Sequence, residues 1–203
     1  FSGAARWLTI TRPELLFAIN QLAMYQSNPS TLHDAAAMKV IGFLKKNPHL
    51  PLFFPKSLQR AKPKDVALEL TGMSGSSLGN SPGRRSFYGF NVYLNGMTVM
   101  PVARLTKTLI PDAPDSPPDL PPNEEVIPDS TPFAEYVAMY ELNKGFKCMR
   151  NLLQSIGLDS LLPMKLANDN AIAIRTSRRD SLTDKSMQID LKFHVLRKDF
   201  KEG

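Results

Sequence analysis

The pattern of residues 68–96 constrains the fold more than any other stretch of the chain. Leu68 and Leu70 alternate with polar residues, and residues 87–94 resume the alternation with aromatic and β-branched side chains. Such alternation is typical of two half-buried β-strands. A run of Gly and Ser separates them and is interpreted as a flexible hairpin connection. A phosphate-binding loop is the alternative, but no Lys-Ser/Thr pair and no helix follow, which favours the hairpin.

A third strand follows the second directly. Asn95-Gly96 is the strongest short turn signal in the chain, and residues 97–103 continue the strand pattern beyond it. A further short strand is predicted at residues 163–167. Residues 187–195 alternate again, and this pattern fits either a strand or the start of a final helix.

Helical patterns lie on both sides of these strands. Pro13 precedes an apolar face that predicts a helix ending near residues 27–29, and a second helix is predicted from Ser30 or Thr31 to Asn47. Together they form a helical hairpin.

The longest predicted helix begins at Thr131-Pro132, runs to about Ile156 and ends at Gly157. Its apolar face is broad enough for one side to lie on the sheet. Cys148 falls within that face and is expected to be a small core residue rather than a nucleophile. A helix is also expected to begin within residues 171–174.

Two proline-rich segments separate these elements. Residues 48–64 form a basic connector with a possible short strand at residues 52–54. Residues 111–132 contain eight prolines and several acidic residues. This second segment lacks the apolar residues to build a core and is expected to be an exposed loop, either a solvated insertion or a cover for a basic groove. The solvated insertion is favoured.

Charge and cysteine content narrow the class of protein. The net charge is +6 and the pI is about 9.5, which favours an acidic partner, with nucleic acid first. A single cysteine excludes an internal disulfide and suits a reducing compartment. The three histidines lack metal-ligand spacing, and no apolar run approaches the roughly 20 residues that a bilayer needs. Because the chain begins at Phe1, it is expected to be a fragment.

Residues 11–29, TRPELLFAINQLAMYQSNP, carry the strongest resemblance to a known family. They are similar to the segment TRPDI-FAVNQLA-YQSNP near the end of copia-type retrotransposon polyproteins, where the tail of reverse transcriptase meets ribonuclease H. Weaker matches follow in the same order as in that family. They are RRS at 84–86, LNG at 94–96, AEYVA at 134–138, MRNLL at 149–153, DNAIA at 169–173 and IDLKFH at 189–194.

The resemblance implies an α/β fold, a ribonuclease H-like mixed sheet of about five strands flanked by helices and preceded by a helical hairpin. It divides the chain into three parts. Residues 1–47 resemble the reverse transcriptase connection, residues 48–64 are a basic linker, and residues 65–203 form the ribonuclease H-like domain with its acidic loop at 111–132.

The resemblance also identifies the positions of the family's catalytic carboxylates, which bind two Mg²⁺ ions. Three of them correspond to Glu135, Asp169 and Asp190, while Gly75 occupies the position of the bridging aspartate. With that ligand lost, we expect no catalytic residues, no metal site and no cofactor, and the three acids would be vestigial. Mg²⁺ would be required only if they formed a rearranged site.

These observations predict a catalytically inactive, retrotransposon-derived module that acts as a protein-interaction or scaffold domain in an intracellular complex, nuclear or cytoplasmic, without membrane contact. The alternative is an active metal-dependent ribonuclease H that cleaves the RNA strand of RNA/DNA hybrids; a third interpretation is a decayed polyprotein end without a host role. Binding of RNA or an RNA/DNA hybrid is an additional possibility. It would involve Arg84, Arg85, Arg175, Arg178, Arg179, Lys185 and Lys192.

Overall fold

Four strands form one open mixed sheet in the part of the chain that is described. The computed structural model describes residues 2–50, 52, 54, 68–81, 85–105, 131–158, 164–178 and 194–202. The order of strands is β3-β2-β1-β4, with β1 pairing antiparallel to β2, β2 antiparallel to β3, and β4 parallel to β1. The strands are β1 (Leu70–Ser81), β2 (Arg85–Leu94), β3 (Met97–Leu105) and β4 (Lys165–Asn168).

Helices flank this sheet, and most of them were predicted. The helical hairpin and the long helix are confirmed, as is the helix that begins at Ala171, whereas the first helix of the chain has no counterpart in the predictions. The helices are α1 (Ser2–Leu8), α2 (Leu16–Met24), α3 (Thr31–Lys46), α4 (Thr131–Ser155), α5 (Ala171–Arg178) and α6 (His194–Glu202), with a 3₁₀ turn at Pro13–Leu15 before α2.

The run of Gly and Ser is part of β1, so its interpretation as a flexible connection was wrong. The strand continues to Ser81, and its residues 70–77 pair in regular register with β2. Their weak intrinsic β-propensity is overridden because β2 supplies large cross-strand partners, such as Phe90 opposite Ser74 and Phe87 opposite Ser77. The residues between the two strands, 82–84, lie outside the described part of the chain.

The turn from β2 to β3 is confirmed at Asn95-Gly96. Both residues have positive φ angles, 48° and 82°, as this tight hairpin turn requires. The Asn95 side chain also accepts a hydrogen bond from the Glu69 N–H at 2.6 Å, and the Asn95 N–H donates to the Glu69 carbonyl at 2.9 Å. These two bonds hold the turn against the start of β1.

The main hydrophobic core lies between α4 and one face of the sheet. Alternate residues of β1 point toward the helix, and a side chain at Gly72 would place its Cβ 2.6 Å from Leu142 and 2.8 Å from Phe146. The broad apolar face predicted for α4 therefore does pack on the sheet. The buried residues of this core are Leu70, Phe90, Val92, Leu142, Phe146, Met149 and Leu153.

Two neighbouring glycines of β1 are expected to respond oppositely to alanine. Gly72→Ala should destabilise the protein by about 1–3 kcal/mol, because Leu142 and Phe146 are fully packed and have little room to move. Gly75→Ala should be neutral or stabilising by up to about 1 kcal/mol, because its Cβ would meet no atom within 4 Å and alanine is less flexible in the unfolded state. Urea denaturation of both variants measures the difference. Equal effects would contradict the assignment of faces.

The helical hairpin packs on the other face of the sheet. The rings of Phe17 and Phe87 meet edge to face, with centroids 5.3 Å apart, and the Asn20 amide donates to the Ala103 carbonyl of β3 at 2.8 Å. Ile19 of α2 and Val40 of α3 are buried together in a second, smaller core. The sheet therefore lies between α4 and the hairpin, although the hairpin covers only part of its face.

Three local predictions differ from the structure. Cys148 is exposed, because Phe146 and Met149 are buried and the helical repeat places Cys148 on the opposite side of α4. Leu52 and Phe54 are not in a strand. The described residues contain four strands rather than about five. Residues 187–195 were predicted as a strand or the start of a final helix; residue 194 begins α6, and residues 187–193 lie outside the described residues.

Candidate functional site

Glu135 is a buried carboxylate in the first turns of α4. Only 5% of the residue is exposed, and each carboxylate oxygen accepts a hydrogen bond from a different strand. Oε1 accepts the Ser76 backbone N–H of β1 at 2.8 Å, and Oε2 accepts the Asn168 side-chain amide of β4 at 2.8 Å. Glu135 thus connects α4 to two neighbouring strands.

Asn168 is the second member of this site and is oriented by its neighbours. Parallel pairing of β4 with β1 places Asn168 directly opposite Ser74. The Asn168 amide nitrogen lies 3.1 Å from both the carbonyl and the hydroxyl oxygen of Ser74, and its carbonyl oxygen accepts the Asn170 N–H at 2.8 Å. We call the group of Ser74, Ser76, Glu135 and Asn168 the β1–α4–β4 junction.

Gly75 does not lie at this junction, contrary to its predicted place beside Glu135. Successive residues of a strand face opposite sides of the sheet, and Gly72 faces α4, so Ser74 shares that face while Gly75 faces away. A Cβ at Gly75 would enter open space on the side of α2. Ser74 and Ser76, rather than Gly75, are therefore the β1 residues on the same side of the sheet as Glu135.

Asp169 is likewise displaced from the predicted cluster. It is exposed in the turn after β4, while its predecessor Asn168 provides the side chain that contacts Glu135. Asp190 lies outside the described residues. In each case the residue on the side of Glu135 lies one position before the residue that the resemblance implies. For β1 this could have been inferred from the sequence, since side chains alternate along a strand and Ser74 falls on the same face as the buried Leu70.

The residues at the junction do not fit the pair of Mg²⁺ ions that the resemblance implies. Magnesium requires several converging oxygen ligands, usually carboxylates. Here one carboxylate has both oxygens bound to N–H donors, and the adjacent positions carry the neutral side chains of Ser74 and Asn168. In the described ranges, no three acidic, His or Cys residues approach closely enough to hold a metal ion.

Tyr136, next to Glu135, anchors the C-terminal helices to α4. It is 1% exposed and packs in a third core with Met139, Ala173 and Leu196. Burial raises the pKa of the Tyr136 phenol, and the positive charge of Arg197 and its hydrogen bond oppose this with a smaller effect.

Helix α6 is also attached to α4 and α5 by polar contacts. The Asn143 amide donates to the Asp199 carboxylate at 2.6 Å, and the Lys147 ammonium lies 2.7 Å from the same oxygen. The Arg197 Nε donates to the Thr176 carbonyl of α5 at 3.2 Å. The end of the chain is therefore fixed beside the long helix.

Replacing Tyr136 by phenylalanine should reduce the loss of stability at alkaline pH. Because the pKa of the phenol is raised in the folded state, its contribution is fully present below the unfolded value of about 10 and is lost as pH rises through the folded value. The wild type should therefore lose more stability than the variant between pH 9 and pH 11. Urea denaturation of both proteins across that range measures this, with pH 8 as reference. Parallel pH profiles would contradict it.

The predicted nucleic-acid-binding residues are only partly within the described structure. Arg175 and Arg178 are exposed on α5, which begins three residues after Asn168. Arg85 begins β2, and only its backbone is described. Arg84, Arg179, Lys185 and Lys192 lie outside the described residues.

No protein-family model matches the chain, and no solved structure matches it significantly. The class of protein is therefore defined by the fold, which is an α/β fold with an open, four-stranded mixed sheet flanked by helices. This arrangement is compatible with a ribonuclease H-like fold. None of the helices in the described ranges has the length and apolarity needed to cross a bilayer.

Proposed function

We propose that this protein is a non-catalytic, ribonuclease H-like module derived from a retrotransposon, which serves as a protein-interaction or scaffold domain inside the cell. The observation that carries the proposal is the bonding of Glu135. A two-metal site needs several converging carboxylates, but Glu135 is the one carboxylate among the four residues of the junction, and each of its oxygens accepts an N–H group from a neighbouring strand. The carboxylate that remains at the junction thus has a structural role.

Exposed apolar side chains on the N-terminal helices support a role in binding other proteins. Monomeric proteins seldom expose many large apolar residues in one region, and such regions usually mark interaction surfaces. Of the fifteen large apolar residues that are exposed in the described ranges, seven lie in the first 43 residues of the chain. They are Trp7, Leu8, Ile10, Phe17, Leu32, Met38 and Phe43.

Nucleic-acid binding remains part of the proposal as a secondary property. The net charge of +6 and the exposed Arg175 and Arg178 near the junction favour an anionic partner. Such binding does not require Mg²⁺ at Glu135.

The protein should not cleave the RNA strand of an RNA/DNA hybrid in the presence of Mg²⁺ or Mn²⁺. A fluorescently labelled hybrid, incubated with the purified full chain and resolved on a denaturing gel, should give no more product than buffer does. An active ribonuclease H serves as the positive control. Wild type, Glu135→Gln and Asp169→Asn should be indistinguishable, because none has a complete set of metal ligands.

Metal-dependent cleavage that is lost in Glu135→Gln or Asp169→Asn would overturn the proposal in favour of an active nuclease with a rearranged site.

The same hybrid tests nucleic-acid binding, the secondary property, in a mobility-shift assay. Binding that weakens steeply with salt supports it, and no shift of the hybrid or of single-stranded RNA at low salt would remove it.

A further inference from the structure

A cleft of about 540 Å³ lies between the helical hairpin and the sheet face opposite α4. Its volume falls within the roughly 300–1,000 Å³ typical of ligand sites, and its lining is mostly apolar. Ser74 and Ser76 of the junction border it, but Glu135 and Asn168 are not among its lining residues, and the Ser74 hydroxyl is bonded to Asn168 on the opposite face of the sheet. The junction therefore leaves this cleft unexplained.

The floor of the cleft is a flat stretch of backbone. Gly75 of β1 and Gly89 of β2 are direct partners in the antiparallel ladder, so two adjacent positions lack side chains. Space above Gly75 is open, because a Cβ there would meet no atom within 4 Å. A planar group can therefore lie face-down on the paired strands.

The walls of the cleft are apolar and accessible. Phe17 of α2 and Met73 of β1 both line it, and each is 58% exposed. The Phe17 ring is held by its edge-to-face contact with Phe87, so it is a fixed wall. Thioethers and aromatic edges both make favourable contacts with a further aromatic ring.

The polar groups of the cleft select for a hydrogen-bond donor. Its polar lining residues are Glu14, Asn91, Ser74, Ser76 and Ser77, and Glu14 is the only charged residue among the described residues that line it. Arg12 binds one oxygen of Glu14 at 2.5 Å, which leaves the other oxygen available as an acceptor. The ion pair with Arg12 offsets the charge of Glu14, so this edge of the cleft carries no net charge and suits an uncharged N–H donor.

From this combination we propose that the cleft binds the tryptophan side chain of a partner polypeptide. The indole ring lies on the Gly75–Gly89 floor between Phe17 and Met73, and its N–H is donated to Glu14 or Asn91. Buried tryptophans require such a partner for their N–H and are frequent anchors of protein interfaces. This inference rests on the proposed function, because it assumes that the module binds a protein.

The experiment is an NMR titration of the ¹⁵N-labelled full chain with N-acetyl-tryptophan amide. Backbone amide signals of Gly75, Gly89 and Asn91 should shift and saturate with a Kd of the order of 1 mM, as expected for a ligand of this size in an open cleft. N-acetyl-leucine amide should bind at least about tenfold more weakly, because it is neither planar nor a ring N–H donor.

Two variants locate the binding. Gly75→Leu should abolish the shifts by filling the open space on the floor, and Met73→Ala should weaken binding severalfold while causing little change in packing, because Met73 is largely exposed. Gly42→Leu is the matched control, since Gly42 is exposed with equally open surroundings on α3, and it should bind as the wild type does.

Absence of saturable shifts at these amides, or shifts that persist unchanged in both Gly75→Leu and Met73→Ala, would overturn the inference. Either result can occur while hybrid cleavage remains undetectable, so the inference can fail without the proposed function. Conversely, metal-dependent cleavage would overturn the proposed function whatever the titration shows.

Discussion

Replacing Glu135 by alanine is expected to destabilise the protein by about 2–4 kcal/mol. The substitution leaves the buried Ser76 N–H and the Asn168 amide without their charged acceptor. The substitution therefore weakens the contacts of α4 with both β1 and β4. For a chain of this length, the Tm should fall by about 5–15 °C. Urea denaturation followed by circular dichroism measures the change in free energy.

Glu135→Gln separates hydrogen bonding from packing. Glutamine keeps the shape of the side chain but can accept only one of the two N–H groups, so its cost should be about half that of alanine. Glu141→Ala is the control on the same helix, because Glu141 pairs only with the exposed Lys144, and it should cost about 0.5 kcal/mol or less. If Glu135→Ala cost no more than Glu141→Ala, Glu135 would not be a structural residue.

Elements with a strong local signal were predictable from the sequence. The helix from Thr131 has a proline in its first turn, an apolar face and a glycine just after its end, and the structure places it at Thr131–Ser155 with Gly157 at a φ angle of +78°. The Asn95-Gly96 turn was equally clear. At both places the backbone conformation is compatible with only a few residue types.

The end of β1 was not predictable in the same way. Residues 72–81 contain glycines and serines that have no β-propensity, and their strand conformation depends on β2 and α4, which are distant in sequence. Gly72 is required because α4 approaches it closely, whereas Gly75 leaves its side of the strand open. Composition alone does not distinguish these two reasons for a glycine.

The candidate site was predicted only in part for a related reason. Glu135 was identified because its surrounding motif resembles the family's long helix. The resemblance implied Gly75 and Asp169 as the two other positions, whereas the residues that lie on the side of Glu135 are Ser74 and Asn168, because a weak motif does not fix the face on which a residue lies. Strand pairing does fix it, since Ser74 and Asn168 are direct partners in the parallel ladder.

Placing acids at Ser74 and Asn168 should create a divalent-cation site. In a Ser74→Asp, Asn168→Asp double variant, two new carboxylates lie beside Glu135, because the Asn168 amide now bonds to both the Ser74 hydroxyl and the Glu135 carboxylate. Without metal, each pair of like charges about 4 Å apart costs of the order of 4 kcal/mol at an effective dielectric constant of 20, so the variant should be strongly destabilised. Thermal unfolding in the presence of a chelator measures this.

Adding Mg²⁺ or Mn²⁺ should reverse the loss in the double variant, because oxygen ligands then converge on one ion. At a metal concentration 100 times the Kd, the gain is about 2.7 kcal/mol. The wild type should show no such gain, since Ser74 and Asn168 are neutral and leave Glu135 as the one carboxylate of the junction. The control is Asn151→Asp, Ser155→Asp, which makes the same two changes at exposed positions of α4. A double variant that metal ions do not stabilise would mean that Ser74 and Asn168 do not occupy the positions of lost metal ligands.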